Sequence, residues 1–272
     1  MIISVEMRLQ KFLALQATNS RRKAEELIVA GIVSVNGIVA KIGTCIDPEI
    51  DVVAVDGIGV SNKVAICKKQ PLVLVMNKPS RCVCSHSDNY NPKTIFDFIP
   101  KEFSKKKLMF CGRLDKETEG MIIVTDDGDI AQKLTHPSYG IKKHYEVMVS
   151  QPPSDKVIRQ LTNGIEDDGE FLRFDKIVSI GRGYMKNYAF EVVLCQGKKN
   201  EIHRAFEHFG IFVKKLKRIR IGNLSLHGLA PGKCRKLTDL EIKKLIGGTP
   251  KLCVAPLHFH ENGSPQKFIG NR

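Results

Sequence analysis

Between residues 71 and 246 the chain carries more strand-like apolar runs than helices to connect them, and that ratio most narrows what it can fold into. Runs at 72–76, 121–125, 145–149, 189–195 and 217–221 have the length and β-branched content of strands. Helical periodicity falls at 129–134, 154–163, 200–209 and 238–246, the last opened by Thr238-Asp239-Leu240-Glu241, a capping-box pattern. A doubly wound parallel sheet needs a helical crossover after each strand, and the helices are too few. The pattern predicts an α+β domain with a mixed, largely antiparallel sheet and flanking helices. Residues 247–272, with Gly247-Gly248 and little periodicity, read as a flexible basic tail.

The first sixty residues have their own punctuation. Leu9, Phe12 and Leu13 fall at i, i+3 and i+4 of a short helix. Ser20 is placed to cap a second helix whose Leu27 and Ile28 face inward, and Gly31 stops it. Two β-branched runs then flank Asn36-Gly37, the strongest short hairpin signal, and a strand at 52–55 ends in the turn Asp56-Gly57. A polar, basic stretch at 58–70 precedes Pro71, so two domains are expected, 7–60 and 71–246.

Lys and Arg number 43 against 29 Asp and Glu, a formal net charge of +14, which points to a polyanionic partner: RNA, DNA or an anionic membrane. No apolar run approaches the roughly 20 residues that span a bilayer. Residues 1–6 have neither the basic start nor the long apolar stretch of a secretory signal, so a cytoplasmic protein without a membrane partner is expected. Residues 8–23 hold Arg8, Lys11, Arg21, Arg22 and Lys23 and no acid. Five cations at two helix ends suit phosphates, and suit a solvated face equally.

The densest chemical signal is Gly112-Arg113-Leu114-Asp115-Lys116-Glu117-Thr118-Glu119-Gly120, running into an apolar strand. Glycines at both ends of a charged loop fix a carboxylate at a strand edge, and Asp115, with Arg113 before it and Lys116 after it, is the candidate nucleophile or base. An ordinary turn with surface ion pairs has the same residues. Asp126-Asp127-Gly128-Asp129 lacks the spacing and later Glu of a calcium loop and reads as a helix cap. Eight cysteines are scattered through apolar stretches and read as reduced. Cys82-Val83-Cys84-Ser85-His86 has the wrong gap for structural zinc and no second ligand pair, so no metal is expected.

Two resemblances sharpen this. Met7-Arg8-Leu9-Gln10-Lys11-Phe12, then Ser20-Arg21-Arg22-Lys23-Ala24-Glu25, Gly31 and Val35-Asn36-Gly37 resemble an S4-like RNA-binding domain, which implies that the helix pair binds structured RNA. The stretch from Cys111 to Gly128 resembles the signature of pseudouridine synthases of the bacterial RsuA/RluB type, enzymes of ribosomal RNA. The similarity extends through Asn77-Lys78-Pro79, Leu134-Thr135-His136-Pro137, Lys143-His144-Tyr145, Gly197-Lys198-Lys199, Leu216-Lys217-Arg218-Ile219-Arg220-Ile221-Gly222 and Pro231-Gly232.

The resemblance implies isomerisation of uridine to pseudouridine in rRNA, on a base flipped out of its stack. The reaction is redox-neutral and releases nothing, so no cofactor is expected. Asp115 would act at the sugar, Arg113 would displace the target base, Tyr145 would stack on the uracil and assist proton removal, and Ile202 would pack on its other side. His203 stands where the family places the Lys or Arg that pairs with the carboxylate, and Arg81 where it places a glycine. These two departures raise an alternative, an S4-domain rRNA-binding protein with weak or lost catalysis. The partner implied is rRNA, free or in an assembling ribosomal subunit, bound by a monomer. Residues 197–220 carry eight Lys and Arg, among them Lys198, Lys199 and Arg204, against Glu201 and Glu207. Together with Lys101, Lys105, Lys106 and Lys107 they bracket Asp115 in sequence, which favours a backbone track.

Overall fold

The computed structural model describes residues 6–18, 20–60, 70–86, 90 and 93–247. The expected tail from 248 onward and most of the 58–70 connection lie outside the described residues. The chain divides into two compact units, 1–70 and 71–272.

In the first unit β1 (Met7–Arg8) leads into α1 (Leu9–Leu13) and then α2 (Arg21–Val29), which starts at Ser20, whose Oγ accepts from Lys23 N. There follow β2 (Val33–Val35), β3 (Ile38–Val39), β4 (Cys45–Ile46), β5 (Val53–Val55) and β6 (Ile58–Gly59). The sheet order is β3-β2-β5-β6, with β1 and β4 pairing separately. Asn36 at φ 52° and Gly37 at φ 79° form a left-handed two-residue turn, and Asp56 and Gly57 repeat it. Phe12 and Leu13 are fully buried with Leu9, Ala24, Ile28, Val33, Ile46 and Val53, each large side chain stabilising the unit by about 2 kcal/mol. The β1–β4 pair, two residues a side, is too short to show as a period in the sequence.

The second unit runs β7 (Val73–Lys78), β8 (Met109–Cys111), β9 (Glu119–Thr125), α3 (Gly128–Thr135), β10 (Lys143–Val149), α4 (Asp155–Asn163), β11 (Ile165–Asp167), β12 (Glu170–Leu172), β13 (Lys176–Ser179), β14 (Ala189–Leu194), α5 (Glu201–Glu207), β15 (Val213–Ile221), β16 (Leu224–Ser225), β17 (Cys234–Lys236) and α6 (Asp239–Ile246). Nine strands form one mixed sheet, ordered β13-β14-β10-β15-β9-β7-β17, with β16 beside β15 and β8 beside β9. Every pairing in it is antiparallel except β9 with β15. The central strands are buried on both faces, which is why they read as unbroken apolar runs. Val73, Val75, Met121 and Ile123 pack with Ile130 and Leu134 of α3 and Ile242 and Leu245 of α6. Their alternates Leu74, Met76, Ile122 and Val124 pack with Ile95, Ile99 and Leu108. Leu161 of α4 and Ala205 and Phe206 of α5 cover Val147, Val149 and Phe190. Among the described residues no helix is long and apolar enough to cross a membrane.

One backbone approach sets the centre of the domain. Gly120 opens β9 at φ 107° and lies so close to β15 that a Cβ there would stand 2.2 Å from the carbonyl oxygen of Arg218. Only glycine lets the parallel pair close at this point, directly after the Asp115 loop.

Candidate active site

The loop between β8 and β9 holds Asp115 out at the surface of the second unit, and a buried lysine holds the loop. Lys78, which ends β7 after four apolar residues and Asn77, is fully buried. Its Nζ donates to the carbonyls of Pro79 at 3.1 Å, Lys116 at 3.0 Å and Thr118 at 2.8 Å. Burial lowers the Lys78 pKa, opposed by the nearby Cys84, Cys82, Glu117 and Asp115. Two of the three carbonyls, those of Lys116 and Thr118, lie just after Asp115, so the ammonium ties down that side of the loop. Leu114 N donates to Cys84 Sγ at 3.4 Å, and Thr118 N to the Asp115 carbonyl at 3.1 Å, closing the turn.

The carboxylate itself meets an amide. In the orientation that satisfies both groups, Asn200 Nδ2 donates to Asp115 Oδ2 at 2.9 Å and Oδ1 at 3.2 Å. Asn200 caps α5 in the left-handed region, at φ 50°, a conformation that Asn tolerates better than most residues. Residues 111–115, Thr118, Gly197, Lys198 and residues 200–203 wall one cavity of about 190 Å³ together with Lys143, Tyr145, Leu194, Leu216 and Arg218. That is room for a ring rather than for a water or two.

The structure brings most of the expected residues to this place. Arg113, Asp115, Tyr145, Ile202, His203 and Lys198 all line the cavity, with Tyr145 and Ile202 buried and Arg113 and Asp115 exposed. It also shows what three of the expected residues touch. His203 borders the cavity without contacting Asp115; the residue that does is Asn200, one helical turn earlier. Arg204, read as an RNA contact, turns away: its Nε donates to Asp167 Oδ2 at 2.7 Å and its Nη1 engages Glu170. Lys198 Nζ donates to the Phe171 carbonyl at 2.6 Å, so it also serves the fold. The β11–β12 hairpin, too short to read in the sequence, supplies the partners of both. Lys199, Lys214 and Lys215 remain exposed, and the last two border an open groove that contains Asp115, Asn200 and His203.

Glu201 is buried at the start of α5, and desolvation raises its pKa although its Oε2 accepts from Lys198 N at 3.0 Å. Burial likewise raises the thiols of Cys82 and Cys84, and that of Cys111 to about 12, so they are poor metal ligands as they stand. His86 stacks on Phe96 at 4.2 Å between ring centres. Among the described residues no group of three His, Cys, Asp or Glu is arranged to hold a metal. In the first unit Arg21, Arg22 and Lys23 are exposed on the first turn of α2, and Arg8 donates to the Gly43 carbonyl. No site role follows from the sequence for Lys78, Asn200, Lys143 or Arg218, although Lys78, Lys143 and Arg218 fall within the stretches of family likeness; a lysine closing a largely apolar strand is the one local signal.

Comparison with known proteins agrees with this geometry. Residues 72–208 match the model of the RNA pseudouridylate synthase family, and residues 7–48 that of the S4 domain. The ribosomal large subunit pseudouridine synthase B of Vibrio vulnificus is 38% identical over 227 residues, covering 82% of this chain and 69% of that protein. The protein of the same name from Bacillus subtilis is 33% identical over 241 residues, 88% of this chain and 95% of its own. A crystal structure of a pseudouridylate synthase superposes with a TM-score of 0.62 at 29% identity, covering 88% of this chain and 99% of the other.

Proposed function

Because the chain belongs to the RNA pseudouridylate synthase family and carries an S4 domain, we propose that it isomerises uridine to pseudouridine in ribosomal RNA. One observation carries the reading: Asp115 stands exposed at a cavity of ring size whose wall includes Tyr145 and Ile202. In this reading a uridine leaves its stack and its base enters the cavity between Tyr145 and Ile202, while the ribose stays at the mouth beside Asp115. The carboxylate attacks the anomeric carbon or starts elimination from the sugar. Asn200 aims it, and Arg113, at the rim, fills the gap left in the RNA. Lys116, Lys214 and Lys215 border the groove at Asp115 and suit the phosphates on either side. Arg21, Arg22 and Lys23 suit a second stretch of structured RNA. The same reading makes the protein a cytoplasmic monomer acting on free rRNA or on an assembling subunit.

A second reading, an rRNA-binding protein with slow catalysis, is favoured by one observation: among the described residues the Asp115 carboxylate contacts a neutral amide and pairs with no cation. Turnover separates them. Purified protein is given rRNA tritiated at carbon 5 of uridine, and pseudouridines are mapped in rRNA from cells with and without the gene. Tritium release and loss of a mapped pseudouridine are expected. Binding without release, and an unchanged map, would overturn the enzymatic reading.

A further inference from the structure

The cavity beside Asp115 contains two cations that the fold does not use up. Arg218 is 3% exposed, and its Nε donates to the Met121 carbonyl at 2.7 Å, yet its Nη2 is buried with no hydrogen-bond partner. Lys143 is half-buried, and its Nζ has one protein partner, the Cys195 carbonyl at 3.2 Å. Among the described residues neither has a carboxylate within ion-pair distance. Two under-partnered cations on one cavity wall are costly in a native interior, and such groups call for an explanation. Strand geometry explains how they meet. Arg218 on β15 lies opposite Tyr145 on β10, and Lys143 is two residues before Tyr145, hence on the same face of its strand.

An anion is the natural occupant, and RNA offers two kinds. A backbone phosphate is tied to nucleotides on both sides and would have to drag them past Tyr145, Leu194 and Leu216, whereas a flipped base enters alone. The base becomes an anion only during the reaction. When the bond from C1′ to N1 breaks, its electron pair leaves on N1 and spreads over the ring's two carbonyl oxygens. C5 then bonds to C1′, the carboxylate or its equivalent is released from the sugar, the proton on C5 departs and N1 takes one up. Atoms and charge balance with no co-reactant.

We infer that Lys143 and Arg218 form a two-cation clamp that stabilises the detached uracil anion between bond cleavage and bond formation. The inference rests on the isomerase reading above and adds catalytic groups to it. The charged groups facing Lys143 from neighbouring elements are Arg218 on β15 and Glu201 on α5. Burial, then Arg218, lower the Lys143 pKa to about 8, with Glu201 opposing. The clamp is therefore charged at neutral pH and fails as pH rises through that value.

The test is single-turnover isomerisation of an rRNA fragment by wild type, Lys143→Met, Lys143→Arg and Arg218→Lys, from pH 6 to pH 9.5, with RNA affinity and thermal stability measured alongside. Lys143→Met should lose on the order of 10²-fold in rate with affinity within about threefold, the scale of removing one oxyanion donor. Lys143→Arg should recover most of that rate and keep it at alkaline pH, where the wild type declines. Arg218→Lys, which keeps the charge but loses a donor nitrogen, should be slowed without weaker binding. Three results would overturn the clamp: a Lys143→Met rate near wild type, a loss confined to affinity (the mark of a phosphate contact), or a wild-type rate that rises through pH 8, as a neutral amine acting as base requires. A wild type that isomerises nothing takes the underlying reading down with it; active wild type with equally active Lys143→Met removes the clamp alone.

Discussion

The cations on α2 of the first unit stay on its surface, whereas the second unit draws three of its own inward. Arg21, Arg22 and Lys23 project from the first turn of α2, while Lys78 and Arg218 are buried and Lys143 half-buried. The formal charge of +14 counts both sets alike, yet they do different work. Surface cations gain from phosphates through counterion release and cost the fold little. Inward cations cost desolvation, and they persist where they organise something: Lys78 the Asp115 loop, Lys143 and Arg218 the cavity. Charge in this chain is therefore a binding signal in one unit and an organising device in the other.

The strongest way to sharpen that contrast is to separate chemistry from binding. Asp115→Asn is expected to lower isomerisation by ~10⁴-fold or more, the scale of losing an enzyme nucleophile, with RNA affinity within a few-fold. The two are read from single-turnover rates and filter binding. An Asp115→Asn protein that turns over near the wild-type rate would remove the loop from the mechanism.

Next in size is the stability cost of an inward cation. The folded-state pKa of Lys143, about 8, lies below its ordinary 10.5, so between those values the unfolded chain holds the proton that the native one has lost. Stability must therefore rise with pH across that window. Lys143→Met should remove this rise and stabilise the protein at neutral pH by about 2 kcal/mol, allowing for the half-exposed position, while slowing the reaction. Denaturant unfolding at several pH values checks both signs; a destabilised Lys143→Met would show that the ammonium is at ease where it sits.

Smaller again is the effect of the outward set. Reversing Arg21 and Arg22 to Glu should weaken rRNA binding about tenfold at low salt, and less as salt rises, leaving the melting temperature in place. An unchanged salt slope would mean that α2 touches no phosphate.

How much of this was legible in the sequence follows the same division. Asn36-Gly37, Ser20 and the central apolar strands read directly, because each is a local rule: a left-handed turn, a cap, a strand buried on both faces. The α+β class and the Asp115 loop with Tyr145 and Ile202 were legible too, the last through family likeness. What did not read was long-range. Arg204 and Lys198 looked like surface charge until the short β11–β12 strands supplied Asp167, Glu170 and the Phe171 carbonyl. The role of Lys78 does not read from the sequence because its three acceptors are backbone carbonyls, two of them about forty residues away. His203 holds the family's motif position, yet position is not contact: the turn before α5 puts the Asn200 amide on the carboxylate.

Arg81 gives the finest test, since it is a surface cation at a place the site depends on. Among the described residues five non-glycine residues have positive φ, and four of them, Asn36, Asp56, Asp168 and Asn200, are of the types that tolerate it. Arg81, at φ 59°, is the exception among the described residues, and it is where the family resemblance calls for glycine. The turn it completes follows Lys78 and Pro79 and includes Ser80, whose Oγ donates to Glu117 Oε2 at 2.8 Å on the Asp115 loop. An L-residue pays ~1–2 kcal/mol in this conformation, and glycine returns about half of that as unfolded-state entropy. Arg81→Gly should thus raise stability by about 0.5–1 kcal/mol, a melting shift of roughly 2–4 °C. The side chain borders neither the cavity nor the groove at Asp115, so rRNA affinity should fall little. Should the melting temperature drop instead, Arg81 must be held by contacts that outweigh its backbone strain, and the turn would owe its shape to that side chain rather than to the Lys78 cradle beneath it.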